Sequence, residues 1–272
     1  MSGQAERAER FLALHSGERP LLLPNPWDIG SARLFESMGF EALATTSSGF
    51  AMTLGRLDGS VSRDESIAHA ASIAGATGLP VSADLENCFA DDPAGVAETL
   101  RLAGEVGLAG ASIEDADRDR DDPVYELGLA TERVAAAAEA AHAGEERLVL
   151  TARAENHLYG AGDLADTIAR LQAYQEAGAD VLFAPGLRDL EEIRRVVDSV
   201  ERPVNVLARP DGPSVSELAS AGVSRVSVGG AFAFAALGAA VEAARELIEE
   251  GTYGYWERSR IGVQAARSAY AD

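Results

Sequence analysis

The chain has no lysine: all 23 basic residues among its 272 are arginine. A Schiff-base aldolase or decarboxylase, or an enzyme that holds pyridoxal phosphate as an imine, needs a side-chain amine, so those classes are excluded. The single cysteine, Cys88, rules out an internal disulfide and any multi-cysteine metal site. No run of about 18 apolar residues occurs, and the N-terminal "MSGQAERAERFLALHSGERP" is charged and amphipathic, without an apolar signal core. Both absences point to a cytoplasmic protein that does not engage a membrane. Positive charge is also scarce, with 44 acids giving a net charge of −21, and no basic stripe is left to neutralise nucleic-acid phosphates.

What is present is a globular composition, 47% apolar and 25% charged, at a length that α/β barrels use as one domain. Short β-rich runs at 20–25, 41–47, 79–86, 110–115, 147–154, 179–186, 202–208 and 224–230 alternate with alanine-rich stretches. In 93–106, 127–143, 164–177 and 190–200 the apolar residues recur every three or four positions, the spacing of a helix with one buried face. Glycines in "EAGAD", "EVGLAG" and "SAGVSR" stop helices just before strands. Strand then helix, eight times over, predicts a (β/α)8 TIM barrel spanning 1–272 as a single domain, with 231–272 as a C-terminal helical extension. Phe232, Phe234, Leu237, Tyr253, Tyr255 and Trp256 in that extension offer more apolar surface than one outer helix must bury, which predicts a subunit interface.

Barrel active sites lie at the C-terminal ends of the strands. There the sequence places Asn25, Thr45 to Ser48, Asp84, Glu114 with Asp115, Arg153 with Glu155, and Asn205. Asp84, Glu86 and Glu114 end neighbouring strands, and alternation points Asp84 and Glu86 the same way. Three converging carboxylates with no lysine nearby predict a hard cation, Mg²⁺ by preference, with Mn²⁺ fitting the same shell. Asp91 and Asp92 precede Pro93 and read as loop and helix-cap residues. Arg153 has two readings: a clamp for a substrate carboxylate, or an ion pair with Glu114 or Glu155 that only balances local charge. In "TTSSGFAMTLGRLDG" the backbone N–H groups of Ser48, Gly49 and Phe50 are placed to face an anion. His15, His69 and His142 read as helix-surface residues, whereas His157, four residues beyond Arg153, is placed to reach the site. Cys88, following acids that disfavour a thiolate, reads as a bystander.

Taken in order, "TTSSGFAMTLGRLDG", "VSADLENCF", "SIEDADRD", "LTARAEN" and "PVNVL" resemble the isocitrate lyase / phosphoenolpyruvate mutase superfamily, from about Leu21 to about Glu250. The resemblance implies a barrel whose terminal helix is exchanged between subunits of a homodimer or homotetramer. It also implies a Mg²⁺-bound 2-oxo or 2-hydroxy acid, an enolate-like intermediate and a gating loop after strand four. Residue by residue, it makes Asp84 the direct metal ligand, Glu86 a second acid acting through water, and Glu114 the residue that completes the shell. It puts Asp58 near metal and substrate, gives Arg153 the substrate carboxylate and Ser48, Gly49 and Phe50 the substrate oxygens, and turns Trp27 and Asn205 toward the cavity.

The chain departs from that pattern where the reaction is decided. The isocitrate-cleaving members carry a Lys-x-Cys-Gly-His loop, and the phosphonate mutases a Lys/Asn-bearing one; here the loop reads "DADRDRDDPVYEL". A glycine usual after the acid cluster is Cys88. The leading expectation is a Mg²⁺-dependent carbon–carbon lyase or decarboxylase acting on a small oxaloacetate- or malate-like acid. In it Arg153 and Asp58 serve catalysis, and His157 or a metal-bound water gives the proton. A phosphonomutase or phosphonopyruvate hydrolase is the alternative enzyme, and a 2-oxo acid binder without turnover the alternative outside enzymes.

Overall fold

The structure, a computed structural model, describes residues 3–143 and 147–271. Eight strands, β1 (Leu21–Leu23), β2 (Leu43–Ala44), β3 (Val81–Asp84), β4 (Gly110–Glu114), β5 (Val149–Arg153), β6 (Val181–Phe183), β7 (Val204–Leu207) and β8 (Arg225–Ser227), form one parallel sheet. Its order runs β1-β8-β7-β6-β5-β4-β3-β2. The Ala44 N–H donates to Pro24 O at 3.1 Å and the Asn25 side chain to Thr45 O at 3.0 Å, drawing the two free edges together into a nearly closed barrel. Each strand falls within the run the sequence assigns to it, because strands buried on both faces read as short apolar runs.

Helix α1 (Gly3–Leu14) precedes β1, and the helices between strands begin with α2 (Ile29–Ser37), α3 (Ser47–Thr53), α4 (Arg63–Ala74), α5 (Pro93–Glu105) and α6 (Leu127–His142). They continue as α7 (Asn156–Tyr159), α8 (Leu164–Glu176), α9 (Leu190–Asp198) and α10 (Val215–Ser220). Capping sets several starts: Asp92 accepts from Gly95 N at 3.0 Å ahead of Pro93, the role its position predicts. Small side chains set the spacing, with Ala103 of α5 and Ala130, Ala137 and Ala141 of α6 all buried in the shell against the sheet.

The N-terminal mouth is plugged by α1. Phe11 packs, fully buried, against Leu21, Leu23, Ala109, Val149 and Val181, a burial that contributes about 1.5–3 kcal/mol. A Cβ at Gly110 would lie 2.9 Å from the Phe11 ring and 2.8 Å from Val149 O, so the plug requires glycine there. His15, expected on a surface, is buried just past α1 because this plug folds it under the barrel.

The extension beyond β8 is α11 (Ala231–Arg245), a π-helical turn (Glu246–Glu250) and α12 (Trp256–Tyr270). Glu246 fastens the corner by accepting from Thr252 Oγ1 at 2.6 Å and Tyr255 N at 3.1 Å. Ala233 is the one buried residue of α11, and α12 has none. Tyr270 meets α2 at Gly30, so the extension touches its own barrel at both ends and leaves an apolar flank uncovered between them. Among the described residues, no helix is long and apolar enough to cross a membrane.

Candidate active site

The turn after β3 has the most unusual backbone in the chain. Glu86, Cys88 and Phe89 sit at φ of 50°, 58° and 57°, the left-handed region that non-glycine residues enter at a cost of about 1–2 kcal/mol each. The surroundings hold them there. Arg133, fully buried, donates to Asn87 O at 2.6 Å, Ala90 O at 3.0 Å and Glu114 O at 3.1 Å, and its guanidinium lies 4.0 Å from the centre of the Tyr125 ring. Burial pushes the Cys88 thiol up to about 12, so it stays protonated and packs as an apolar group, in keeping with its reading as a bystander.

At the C-terminal mouth lies a cavity of about 210 Å³. Its wall includes Ser48, Asp58, Asp84, Glu114, Arg153, Glu155 and Asn205, so most of the site read from the sequence comes together. A second hollow of about 250 Å³ adjoins it through Glu114, Arg118 and Tyr159 and takes in Glu86. Arg153 is the hub: Nη1 lies 2.7 Å from Glu114 Oε1 and 3.3 Å from Asp84 Oδ1, and Nε lies 2.8 Å from Glu155 Oε1. Both sequence readings of Arg153 meet here, since it pairs with Glu114 and Glu155, while among the described residues its Nη2 has no hydrogen bond and remains for a ligand.

Asp84 is fixed from both sides, its own N–H donating to Thr45 Oγ1 at 2.9 Å and its Oδ2 accepting from Ser47 N at 3.1 Å. Behind the wall, buried Asp115 accepts from Glu155 N at 2.7 Å, Arg170 Nη1 at 2.9 Å and Tyr174 Oη at 2.5 Å. That network fastens the loop after β5 to the end of β4.

Four sequence-assigned residues are placed otherwise. The segment after β2 winds into α3 instead of an open loop, so Gly49 N donates to Thr46 Oγ1 and Phe50 N to Thr46 O; Ser48 N keeps no partner among the described residues. The Phe50 ring stacks on His69 at 3.8 Å. Trp27 packs edge-on against Phe35 at 6.1 Å. His157 lies against Gly186, and its neighbours Leu158 and Tyr159 line the cavity in its place.

Arg118 is the residue sequence reasoning missed. It stands in the loop after β4, where Asp117 N donates to Pro123 O at 2.7 Å and Tyr125 N to Asp115 O at 2.9 Å, folding the loop back on itself. From there Nη1 reaches Asp58 at 2.9 Å and Nη2 lies 3.5 Å from Glu86. A Cβ on Gly59 would stand 2.5 Å from the Arg118 side chain, so glycine opens the space. An arginine in "DADRDRDD" was the available signal, hidden among five acids.

Cation fit rests on the acids. Burial, then the neighbouring Asp84 charge, pushes Glu86 up to about 7, and its Oε1 is buried without a partner. Burial holds Glu114 well above the usual carboxylate range against the pull of Arg153. Five carboxyl groups, Asp58, Asp84, Glu86, Glu114 and Glu155, line the two hollows with the guanidinium groups of Arg118 and Arg153, so the charge is balanced by protons on the raised glutamates or by an added cation. Among the described residues no three acidic, histidine or cysteine side chains form a ready metal cage. The three carboxylates expected to converge are thus kept apart, Asp84 and Glu114 paired with Arg153 and Glu86 in the second hollow; the oxygen donors and the orphaned Glu86 Oε1 would suit only a Mg²⁺-type ion that meets one carboxylate and keeps several waters.

Comparison with known proteins places this geometry. The family model described as phosphoenolpyruvate phosphomutase matches residues 11–248. An uncharacterised protein of Mycobacterium tuberculosis (strain ATCC 25618 / H37Rv) is 33% identical over 237 residues, covering 86% of this chain and 87% of that one. A crystal structure from Burkholderia cenocepacia J2315, described as a lyase/mutase, superposes with a TM-score of 0.95 at 50% identity, covering 100% of this chain and 98% of that one. Oxaloacetate acetylhydrolase in complex with its product oxalate superposes with a TM-score of 0.83 at 26% identity, covering 92% and 89%. With the barrel, the carboxylate cluster and the arginine hub in place, the chain belongs to the isocitrate lyase / phosphoenolpyruvate mutase superfamily, and is an enzyme of that lyase and mutase group.

Proposed function

We propose that the chain is a Mg²⁺-dependent carbon–carbon lyase or decarboxylase of small 2-oxo or 2-hydroxy dicarboxylates of the oxaloacetate or malate type. The observation that carries this reading is the cavity whose wall holds, among the described residues, an Arg153 Nη2 and a Ser48 N–H without hydrogen-bond partners together with Asp84, Glu114 and Glu155. A carboxylate docks on Nη2 of Arg153, and the Ser48 N–H faces the oxygen on which charge builds as the bond breaks. Asp84, with Glu86 and Glu114 through water, would hold Mg²⁺, or Mn²⁺ in the same shell, which when bound supplies Lewis-acid polarisation of a carbonyl. Asn205 orients the acid from the far wall. Tyr159, which faces the same charged groups and has its hydroxyl held above the usual range by burial, takes the proton-donor role assigned from sequence to His157. Arg118, in the loop after β4, lies across the mouth through Asp58 and Glu86.

The test is product analysis by NMR after incubation of the protein and Mg²⁺ with oxaloacetate and substituted malates. Pyruvate, oxalate or a 2-oxo acid fragment is expected, with Asp84→Ala lowering the rate at least 100-fold; full activity in Asp84→Ala sinks the metal-assisted mechanism. The placement of Asp58 on the cavity wall beside Arg118 favours a second reading, a phosphonomutase or phosphonopyruvate hydrolase. Phosphorus NMR separates the two, because only the second changes a C–P bond. The non-catalytic binder is set aside by the superfamily's shared lyase and mutase activity.

A further inference from the structure

Three arginines line the main cavity, and they are partnered differently. Arg153 meets three carboxylates and Arg118 two. Among the described residues Arg225 meets none, although it is 4% exposed. Its bonds go to neutral acceptors: Nε to Asn205 Oδ1 at 2.9 Å, Nη2 to Thr151 Oγ1 at 3.2 Å and Nη1 to His15 Nε2 at 3.2 Å. The His15 tautomer is fixed by Nδ1, which donates to Phe11 O at 2.8 Å and so leaves Nε2 as the acceptor. A guanidinium has five N–H donors, so two are left over.

Buried arginines elsewhere in the chain are partnered by acids or backbone carbonyls. Arg170 has Asp115 and Asp166, and Arg133, whose Nε has no partner, gives Nη1 and Nη2 to three backbone carbonyls. Arg225 has neither acids nor carbonyls, and it faces the cavity. Thr151 lies two residues before Arg153 on β5, so the guanidinium that reaches it sits about 6–7 Å deeper along the strand than the Arg153 backbone. Hydroxyls of Ser82, Ser112 and Ser227 complete a polar lining at this cavity. Holding a full charge out of water without a counter-charge is costly, and burial, then the Arg153 charge, lowers this guanidinium to about 9.

We propose that Arg225, with Asn205 and Thr151, forms a second carboxylate subsite on the barrel floor that takes the distal carboxylate of a dicarboxylic acid whose other end lies at Arg153. The inference rests on the reading of the cavity as a dicarboxylate site and adds which residues hold the second carboxylate, and hence why dicarboxylates are preferred to monocarboxylates of the same length. A ligand carboxylate there supplies the counter-charge that the chain omits, so that the floor is incomplete until substrate enters.

The probe is a matched pair, succinate and butyrate, titrated calorimetrically in the presence of Mg²⁺. Succinate is expected to bind at least tenfold tighter, and Arg225→Met is expected to remove that preference while butyrate binding changes less than twofold. Asn205→Asp is the second variant: it keeps Arg225, places an internal carboxylate beside Nε and is expected to stay folded, so loss of the succinate preference there does not come from a collapsed barrel. Equal affinities in the wild type, or a preference that survives Arg225→Met, overturn the subsite. If 2-oxo acids are turned over but succinate has no advantage, the floor falls and the lyase reading stands. If the Arg225-dependent succinate preference appears without turnover of any 2-oxo acid, the floor stands and the lyase reading falls.

Discussion

Replacing Arg170 by methionine removes the counter-charge of a carboxylate that is 2% exposed. Asp115 then keeps only Glu155 N–H and Tyr174 O–H as donors, at 2.7 and 2.5 Å. Its carboxyl is already held above the ordinary range by burial, against the pull of Tyr174, Glu155 N–H and Arg170, so at neutral pH the variant holds a bare buried charge or must take up a proton. Breaking a buried pair from one side costs about 3–5 kcal/mol. For a chain of this size that lowers Tm by about 2 °C per kcal/mol, or roughly 6–10 °C. Asp115→Asn with Arg170→Met removes both charges and keeps an acceptor for the two donors, so the double variant is expected to cost less, about 1–3 kcal/mol. Urea unfolding followed by circular dichroism measures both, with an unchanged dependence on urea concentration as the check that compactness is the same. A single-variant cost below about 1 kcal/mol, or a double variant as costly as the sum of its singles, refutes this view of the network.

Two further outcomes follow from groups away from the cavity mouth. Burial first, and then the Arg225 charge, depress His15 from 6.5 to about 3, so the native protein keeps it neutral while the unfolded chain protonates. Its contribution is full above pH 6.5 and is lost as pH falls toward 3, at about 1.4 kcal/mol per pH unit. The unfolding free energy of His15→Gln should therefore fall less steeply than that of the wild type between pH 6.5 and 5, and parallel slopes would contradict the assignment. The uncovered flank of the extension, with Trp256, Ile248 and Ile261 at 56%, 81% and 71% exposure, is proposed to bury itself in a homodimer or homotetramer through an exchanged terminal helix. Sedimentation velocity should give an even multiple of 28.4 kDa, reduced by Trp256→Glu with Ile261→Glu; a wild-type monomer would end that reading.

The barrel was legible because its signal is repeated: eight apolar runs alternating with helical stretches, three of them entered through a glycine that stops the preceding helix, outvote any local ambiguity. The carboxylate cluster was legible for the same kind of reason, since acids at the ends of buried strands are unusual enough to require an explanation. Residues whose role depends on neighbours distant in sequence were not legible. Arg225 looks like any strand-opening arginine until His15, 210 positions away, and Thr151 meet it. Gly49 and Phe50 read as an anion loop because serine and glycine suit one, yet Thr46 caps a helix there and absorbs their amides. Arg118 required the loop's fold to bring it to Asp58, 60 positions earlier. Cys88, where the family resemblance leads to an expectation of glycine, occupies a positive φ of 58°.

The central claim is that this cavity takes a 2-oxo acid together with a hard cation. Its most direct test is calorimetric titration of oxalate, a small planar dianion, into the metal-stripped protein with and without Mg²⁺. Binding only when Mg²⁺ is present, and its loss in Asp84→Ala, is the expected result. Equal binding without the metal, or no binding in either condition, would contradict the claim.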